Sequence, residues 1–120
     1  MIQSYKELIV WQKAILLCEK IYILTENFPK AESFGLVSQM RRSAVSIPSN
    51  IAEGKYRGTR KDFTQFLRIA RGSTAELETQ ILIAKKFYSL DTSTITDIEK
   101  LLEEISKMLS SVIKKLQAVS

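Results

Sequence analysis

The chain has no histidine and only one cysteine, Cys18, among its 120 residues. Without histidine the commonest general acid–base group is absent, and with a single thiol the usual donors of a transition-metal site are missing too. An enzyme built from this sequence would have to work with carboxylates, lysine, tyrosine or serine alone. One cysteine also excludes an internal disulfide and suits a reducing compartment. Glycine and proline number only 4 and 2, against 45% hydrophobic and 26% charged positions, which argues against disorder and low complexity. Long apolar runs are lacking as well. Lys6, Glu7, Lys13, Glu19 and Lys20 interrupt the N-terminal segment, so it reads as neither a signal peptide nor a membrane span. These absences predict one soluble, cytoplasmic domain over residues 1–120, large enough for a real core and holding no metal or cofactor.

What is present is helical periodicity. Leu8, Trp11, Ile15, Cys18 and Tyr22 recur at spacings of three and four, and Val10, Ala14, Leu17, Ile21 and Leu24 form a second stripe beside them. Together they predict a first helix from about Tyr5 to Glu26, stopped by Phe28-Pro29. Its apolar face is wider than one neighbour requires, which fits either deep burial or an oligomer contact. A second helix is predicted from Ser33, as N-cap, to Gly54, as C-terminal stop. Its core stripe is Val37, Met40, Ala44, Ile47 and Ile51, and the opposite row (Gln39, Arg42, Ser46, Ser49 or Asn50, Glu53) is polar. Pro48 lies inside this pattern and predicts a kink rather than an end, because the stripe stays in phase beyond it.

A third helix, capped by Thr59 and reaching about Tyr88, carries Phe63, Phe66/Leu67, Ala70, Thr74, Leu77, Ile81 and Ala84 on its core face. Gly72 falls in its middle, where glycine costs about 1 kcal/mol relative to alanine and is expected to admit a neighbouring backbone. Asp91-Thr92-Ser93-Thr94 reads as a turn and cap. A fourth helix then runs from about Ile95 to Ala118, with Ile98, Leu101/Leu102, Ile105, Leu109, Val112, Leu116 and Val119 as its stripe. No segment alternates with period two. Four helices with short connections predict an all-α, antiparallel up-down-up-down four-helix bundle.

Charge is distributed unevenly. Arg41, Arg42, Lys55, Arg57, Arg60, Lys61, Arg68 and Arg71 are opposed within their window only by Glu53 and Asp62, a net +6 in a chain of +5. Such a window builds a basic surface that attracts polyanions. Placing Arg60 at 0° on a helical wheel puts Arg71 near 20°, Arg68 near 80° and Lys61 near 100°, with the core at roughly 260° to 340°. Four cations therefore share a flank beside the core, and Lys55 and Arg57 extend it at the N-terminal end. Arginine dominates, which suits bidentate phosphate contacts. Tyr56 and Phe63 lie among the charges but are too few to form a base-stacking platform. The plainer reading is a solvated flank, or partners for acidic residues of another subunit.

Other candidates are weaker. Ile69, Glu76 and Ile83 are spaced by sevens with Gly72 alongside, which suggests a packed contact around a partly buried carboxylate with Arg42 or Asn50 as its partner. A catalytic Glu76 would need a second convergent group, and Glu78 faces elsewhere. Glu103-Glu104 is mostly solvent-facing by its phase. Cys18 sits on an apolar stripe, and Ser46, Ser49 and Ser73 have no base placed to activate them.

VWQKA at Val10–Ala14, NFP at Asn27–Pro29, RRSAVSIPSNIAEG at Arg41–Gly54 and ARGSTAELE at Ala70–Glu78 resemble the four-helix-bundle proteins named for the 23S rRNA intervening sequence. The similarity runs nearly the full length in the expected order, and SIPSNIAEG is its specific element. The resemblance implies a small antiparallel bundle assembled into a ring- or barrel-like homo-oligomer, a pentamer. It also implies kinship with the accessory variability proteins of diversity-generating retroelements, basic barrels that engage RNA and a reverse transcriptase. Five copies of a +6 window around one axis would concentrate charge that a monomer can only spread.

The residues and the resemblance together lead to the expectation of a non-enzymatic oligomeric adaptor that binds nucleic acid, RNA before DNA. Arg57, Arg60, Lys61, Arg68 and Arg71 are the expected phosphate contacts, with Arg41, Arg42 and Lys55 secondary. Asn50, Glu53, Gly54, Gly72, Ser73 and Glu76 are assigned to helix–helix or subunit contacts. The alternatives are a scaffold docking an acidic or polymerase-type protein partner, and an enzyme of unknown type.

Overall fold

The computed structural model describes residues 4–118. Four helices, α1 (Ile9–Glu26), α2 (Leu36–Tyr56), α3 (Arg60–Phe87) and α4 (Thr92–Ala118), form a bundle 46 Å long and 23 × 20 Å across. The side-chain pairs fix its topology. Ser43 meets Glu76, Ser46 meets Ser73, and Gly54 lies against Phe66, so α2 and α3 run antiparallel. Lys85–Glu99 and Arg71–Ser110 set the same relation for α3 and α4, and Lys13–Glu104 with Lys20–Asp97 for α1 and α4. Each helix lies beside two neighbours, and the diagonal pairs, α1 with α3 and α2 with α4, stay more than 8 Å apart between Cα atoms among the described residues. The architecture is the all-α up-down bundle that the short connections predict.

The core is the meeting of four stripes: Val10, Ala14, Leu17 and Ile21 of α1; Met40, Ala44, Ile47 and Ile51 of α2; Leu67, Ala70, Leu77 and Ile81 of α3; and Ile98, Leu102, Ile105 and Leu109 of α4. Of the two stripes on the first helix, the one through Val10 takes the centre. The other, through Trp11 and Cys18, is half-buried on a flank. On α4, Ile113 is buried where Val112 was expected, one position round the helix, and Val119 lies outside the described residues.

Several boundaries differ from the sequence reading. The first segment is not continuous: a 3-10 turn at Tyr5–Glu7, capped by Ser4, precedes α1. Ser33 closes a second 3-10 turn at Lys30–Glu32, and Gly35, not Ser33, precedes α2. The hydroxyl of Tyr88 donates to Glu32 and Phe28 packs on the Tyr88 ring, which ties this turn to the end of α3. Thr59 caps α3 as expected, its hydroxyl accepting from the Asp62 amide. Asp91 alone caps α4, accepting from the Thr94 amide, so the helix begins at Thr92, three residues early. Those bonds, from the Ser93 and Thr94 hydroxyls and then the Thr94 amide, hold the Asp91 carboxyl below its ordinary range.

Pro48 does not end α2, which continues to Tyr56. A proline offers no N–H to the carbonyl four residues back, so the Ala44 carbonyl loses its normal helical donor. The Cys18 thiol of α1 donates to that oxygen at 3.2 Å. Burial, with Glu19 nearby, pushes the Cys18 pKa up to about 11, which keeps it in the S–H form that can donate.

Candidate nucleic-acid interface

The eight cations of the basic window do not share one surface. Arg41 folds back onto α1: its guanidinium donates to Thr25 Oγ1 at 2.9 Å and to the Tyr22 carbonyl at 3.3 Å, and stacks 4.4 Å from the Tyr22 ring. Arg42 is exposed, but the α2–α3 register places it about 25 Å along the bundle axis from Arg60. These two are therefore separate from the cluster that follows α2. At that end Arg57 pairs with Glu53 at 2.8 Å and lies over the Phe66 ring at 4.7 Å, while Lys55 lies 5.6 Å from the Phe63 ring. Their charges are partly answered by residues of their own chain.

Arg60, Lys61 and Arg68 differ. All three are exposed, and none enters an ion pair among the described residues. They line a groove of about 670 Å³ between the first turns of α3 and the end of α4, together with Asp62, Thr64, Gln65, Leu116 and Gln117. Arg71 continues the row upward, half-buried, with its guanidinium 3.4 Å from Ser110 Oγ on α4. Lys114 and Lys115, exposed in the last turns of α4, add charge at the same end. The sequence reading treated this helix only as an apolar stripe and missed them; the KKL run at Lys114–Leu116 was the available signal.

On the other side of α3, the residues assigned to packing form a polar seam with α2. The Asn50 amide donates to the Ser46 carbonyl at 2.8 Å and to Ser46 Oγ at 3.0 Å, and Ser46 Oγ shares a 2.8 Å hydrogen bond with Ser73 Oγ. The Glu76 carboxylate is exposed rather than partly buried. It accepts from the Ser43 hydroxyl at 3.1 Å, not from Arg42 or Asn50, because Ser43 is the α2 residue at its level. Glu53 faces Arg57 on its own helix. Gly54 is no helix stop: it is buried in α2, where an added Cβ would lie 2.6 Å from Phe66 Cβ. The turn between the helices instead uses Gly58, at φ +84°. Gly72 reverses its expected role as well, since a Cβ there would meet nothing within 4 Å.

Among the described residues no three thiols or carboxylates converge, and the seam serines bond one another, a backbone carbonyl and, at Ser43, the Glu76 carboxylate. The family profile for the 23S rRNA-intervening sequence protein matches residues 6–111. The chain belongs to that family. A crystal structure of a protein of unknown function from the S23 ribosomal protein family of Bacteroides thetaiotaomicron superposes with a TM-score of 0.79. The two are 26% identical, over 88% of this chain and 96% of the other. A search of curated proteins finds no match. The stretches Arg41–Gly54 and Ala70–Glu78, which carry the resemblance in the sequence, face each other along the α2–α3 seam. No helix of the described residues is long and apolar enough to cross a membrane.

Proposed function

We propose that this intervening-sequence protein is a non-enzymatic, cytoplasmic RNA-binding bundle that works as a closed ring of its own copies, five by the family resemblance. The observation that carries the binding half is the row Arg60, Lys61 and Arg68: exposed arginine-rich charge with no ion-pair partner among the described residues, beside a groove. Arg71, Arg57 and Lys55 flank it as secondary contacts, while Arg41 is committed to α1 and Arg42 stands apart. Binding of this kind is driven by charge and shape and weakens steeply with salt.

Two exposed apolar stripes support assembly. On α1, Ile9, Leu16 and Ile23 follow one another at spacings of seven, with 54%, 43% and 64% of their surface open. On the diagonal helix α3, Ile69 and Ile83 flank Gly72 and Glu76, with Leu82 and Phe87 adjoining. A stripe on one corner of the bundle meeting a different stripe on the opposite corner of the next copy is a heterologous contact, the kind that closes into rings. The bare surface at Gly72 lets a neighbouring helix approach.

Native mass spectrometry of the untagged protein at low salt tests the reading. The expected particle is about 68 kDa, five times 13.7 kDa, carrying additional nuclease-sensitive mass. Replacing Arg60, Arg68 and Arg71 together by alanine is expected to keep the particle, remove the extra mass and lower the salt slope by about 2 per protomer. An unchanged affinity and slope would sink the RNA interface. A clean ring that never carries RNA would favour a protein partner, and a monomer would remove the ring.

A further inference from the structure

We infer that the α3–α4 groove receives a single unpaired nucleotide of an RNA strand, its phosphate on Arg60, Lys61 and Arg68 and its base against Leu116. This rests on the RNA-binding reading above and specifies the form of RNA bound. A solvated basic flank would present cations on a convex surface. Here they border a concavity of about 670 Å³, within the range of sites that enclose small ligands. Its described lining holds three cations against one carboxylate, Asp62.

Other cavities of the bundle serve as an internal control. The one beside Lys20 contains Asp97, and the two ions are paired at 2.7 Å. The one beside Lys85 contains Glu99, paired at 3.1 Å. Further along the α3–α4 interface, Arg71 shares a cavity with Glu78, Glu103 and Lys107, the last two paired at 2.9 Å. Those cavities answer their own charge, whereas the described lining of the groove at the start of α3 holds an excess of cations.

The rest of the lining narrows the ligand. Inorganic phosphate would use the cations and leave Leu116 idle, and a duplex would lay its phosphates across the mouth with its bases stacked out of reach. A splayed-out nucleotide uses both, because its phosphate meets the cations while its flat face covers the apolar wall. An arginine guanidinium, here Arg68, can stack on the base from the other side. Asp62 and Gln65 supply acceptors for a ribose 2′-hydroxyl, the group that separates RNA from DNA.

The test uses three probes at low salt: an oligouridylate of about ten nucleotides, an RNA duplex of equal length, and free uridine monophosphate. Binding is followed by fluorescence anisotropy and by the methyl signals of carbon-13-labelled leucine in the unsubstituted protein. The single strand is expected to bind tighter than the duplex and to move the Leu116 methyls, which the duplex leaves in place. Leu116→Ala should weaken the single strand about fivefold and the duplex less than twofold, while Arg68→Ala weakens both. Unmoved methyls, or equal losses on both probes, would overturn the groove and leave RNA binding as a purely electrostatic contact. Free uridine monophosphate binding as tightly as the strand would make this a mononucleotide site and overturn the strand proposal. Absence of binding by every probe would overturn the groove and the RNA reading together.

Discussion

The seam between α2 and α3 and the groove between α3 and α4 lie on two sides of one helix, and they treat polar side chains in opposite ways. In the seam, Ser43 and Ser46 hydrogen-bond across the contact to Glu76 and Ser73, Asn50 bonds Ser46 along its own helix, and Gly54 has no side chain at all. Small residues let the helices approach, and at short range each polar group finds a partner within the chain. In the groove, Arg60, Lys61 and Arg68 are long cations that find no ion-pair partner among the described residues, although carboxylates elsewhere on α4 pair with Lys13, Lys20, Lys85 and Lys107. Satisfied polarity specifies how two helices pack, whereas unsatisfied charge beside a cavity is available to something else. The polar stretch that carries the family resemblance packs two helices here, and the proposed binding surface lies on the other side of α3.

Substitution at Gly54 should produce the largest effect and tests the seam directly. Gly54→Ala puts a methyl 2.6 Å from Phe66 Cβ, closer than carbons pack, so α2 and α3 must separate or Phe66 must move. Overpacking of this kind costs about 1–3 kcal/mol, offset by up to about 1 kcal/mol from alanine's better helix propensity. The net expectation is a melting temperature lower by roughly 5–10 °C in a thermal circular dichroism scan. RNA affinity of the folded fraction should be unchanged. A rise in melting temperature would mean the seam is open at that level, and the contrast with the groove would fail there.

The two glycines also show what was legible in the sequence. The core stripes of α2 and α3 could be read because helical periodicity is a local property, and every residue of the predicted α2 stripe is buried. The glycine roles could not, because both depend on what stands opposite. Gly54 looks like a helix terminator by its position after a periodic run, yet its missing side chain accommodates Phe66, and the chain turns at Gly58. Gly72 looks like a close-approach residue, and in the single chain it faces open space. The same holds for the cations. Wheel geometry places Arg60, Lys61 and Arg68 on one flank, but nothing local reveals that Tyr22 and Thr25 capture Arg41 or that the end of α4 completes the groove. The Cys18 thiol filling the gap opposite Pro48 likewise needs the α1–α2 register.

A milder perturbation of the seam sharpens the comparison. Ser73→Ala removes the 2.8 Å bond to Ser46 from a largely buried position but leaves Ser46 its bond from Asn50. The expected loss is about 1 kcal/mol in a urea titration, with an unchanged denaturant slope. Alanine at the exposed Arg68 should not move the urea midpoint detectably, since that side chain pairs with no charge among the described residues. Equal losses at the two sites would erase the distinction between satisfied and available polarity.

The smallest effect, and the one with an unusual sign, is expected at Gly72. A methyl there enters open space in the single chain, and alanine is favoured over glycine inside a helix, so Gly72→Ala should stabilise the isolated protomer by about 0.4–1 kcal/mol. Under dissociating dilution the melting temperature should therefore rise by a few degrees. Ile69 and Ile83 stand exposed on either side of the same position, and burial of that stripe in a ring would bring a neighbouring copy onto Gly72. The added methyl would then hold the copies apart, and sedimentation at increasing concentration should show assembly shifted to higher protein levels. A variant that is stabler as a protomer yet weaker as an assembly marks the outer face of α3 as the subunit contact. A variant that gains stability and assembles as before would move the contact to another face, and the glycine in mid-helix would then have no role in assembly to explain it.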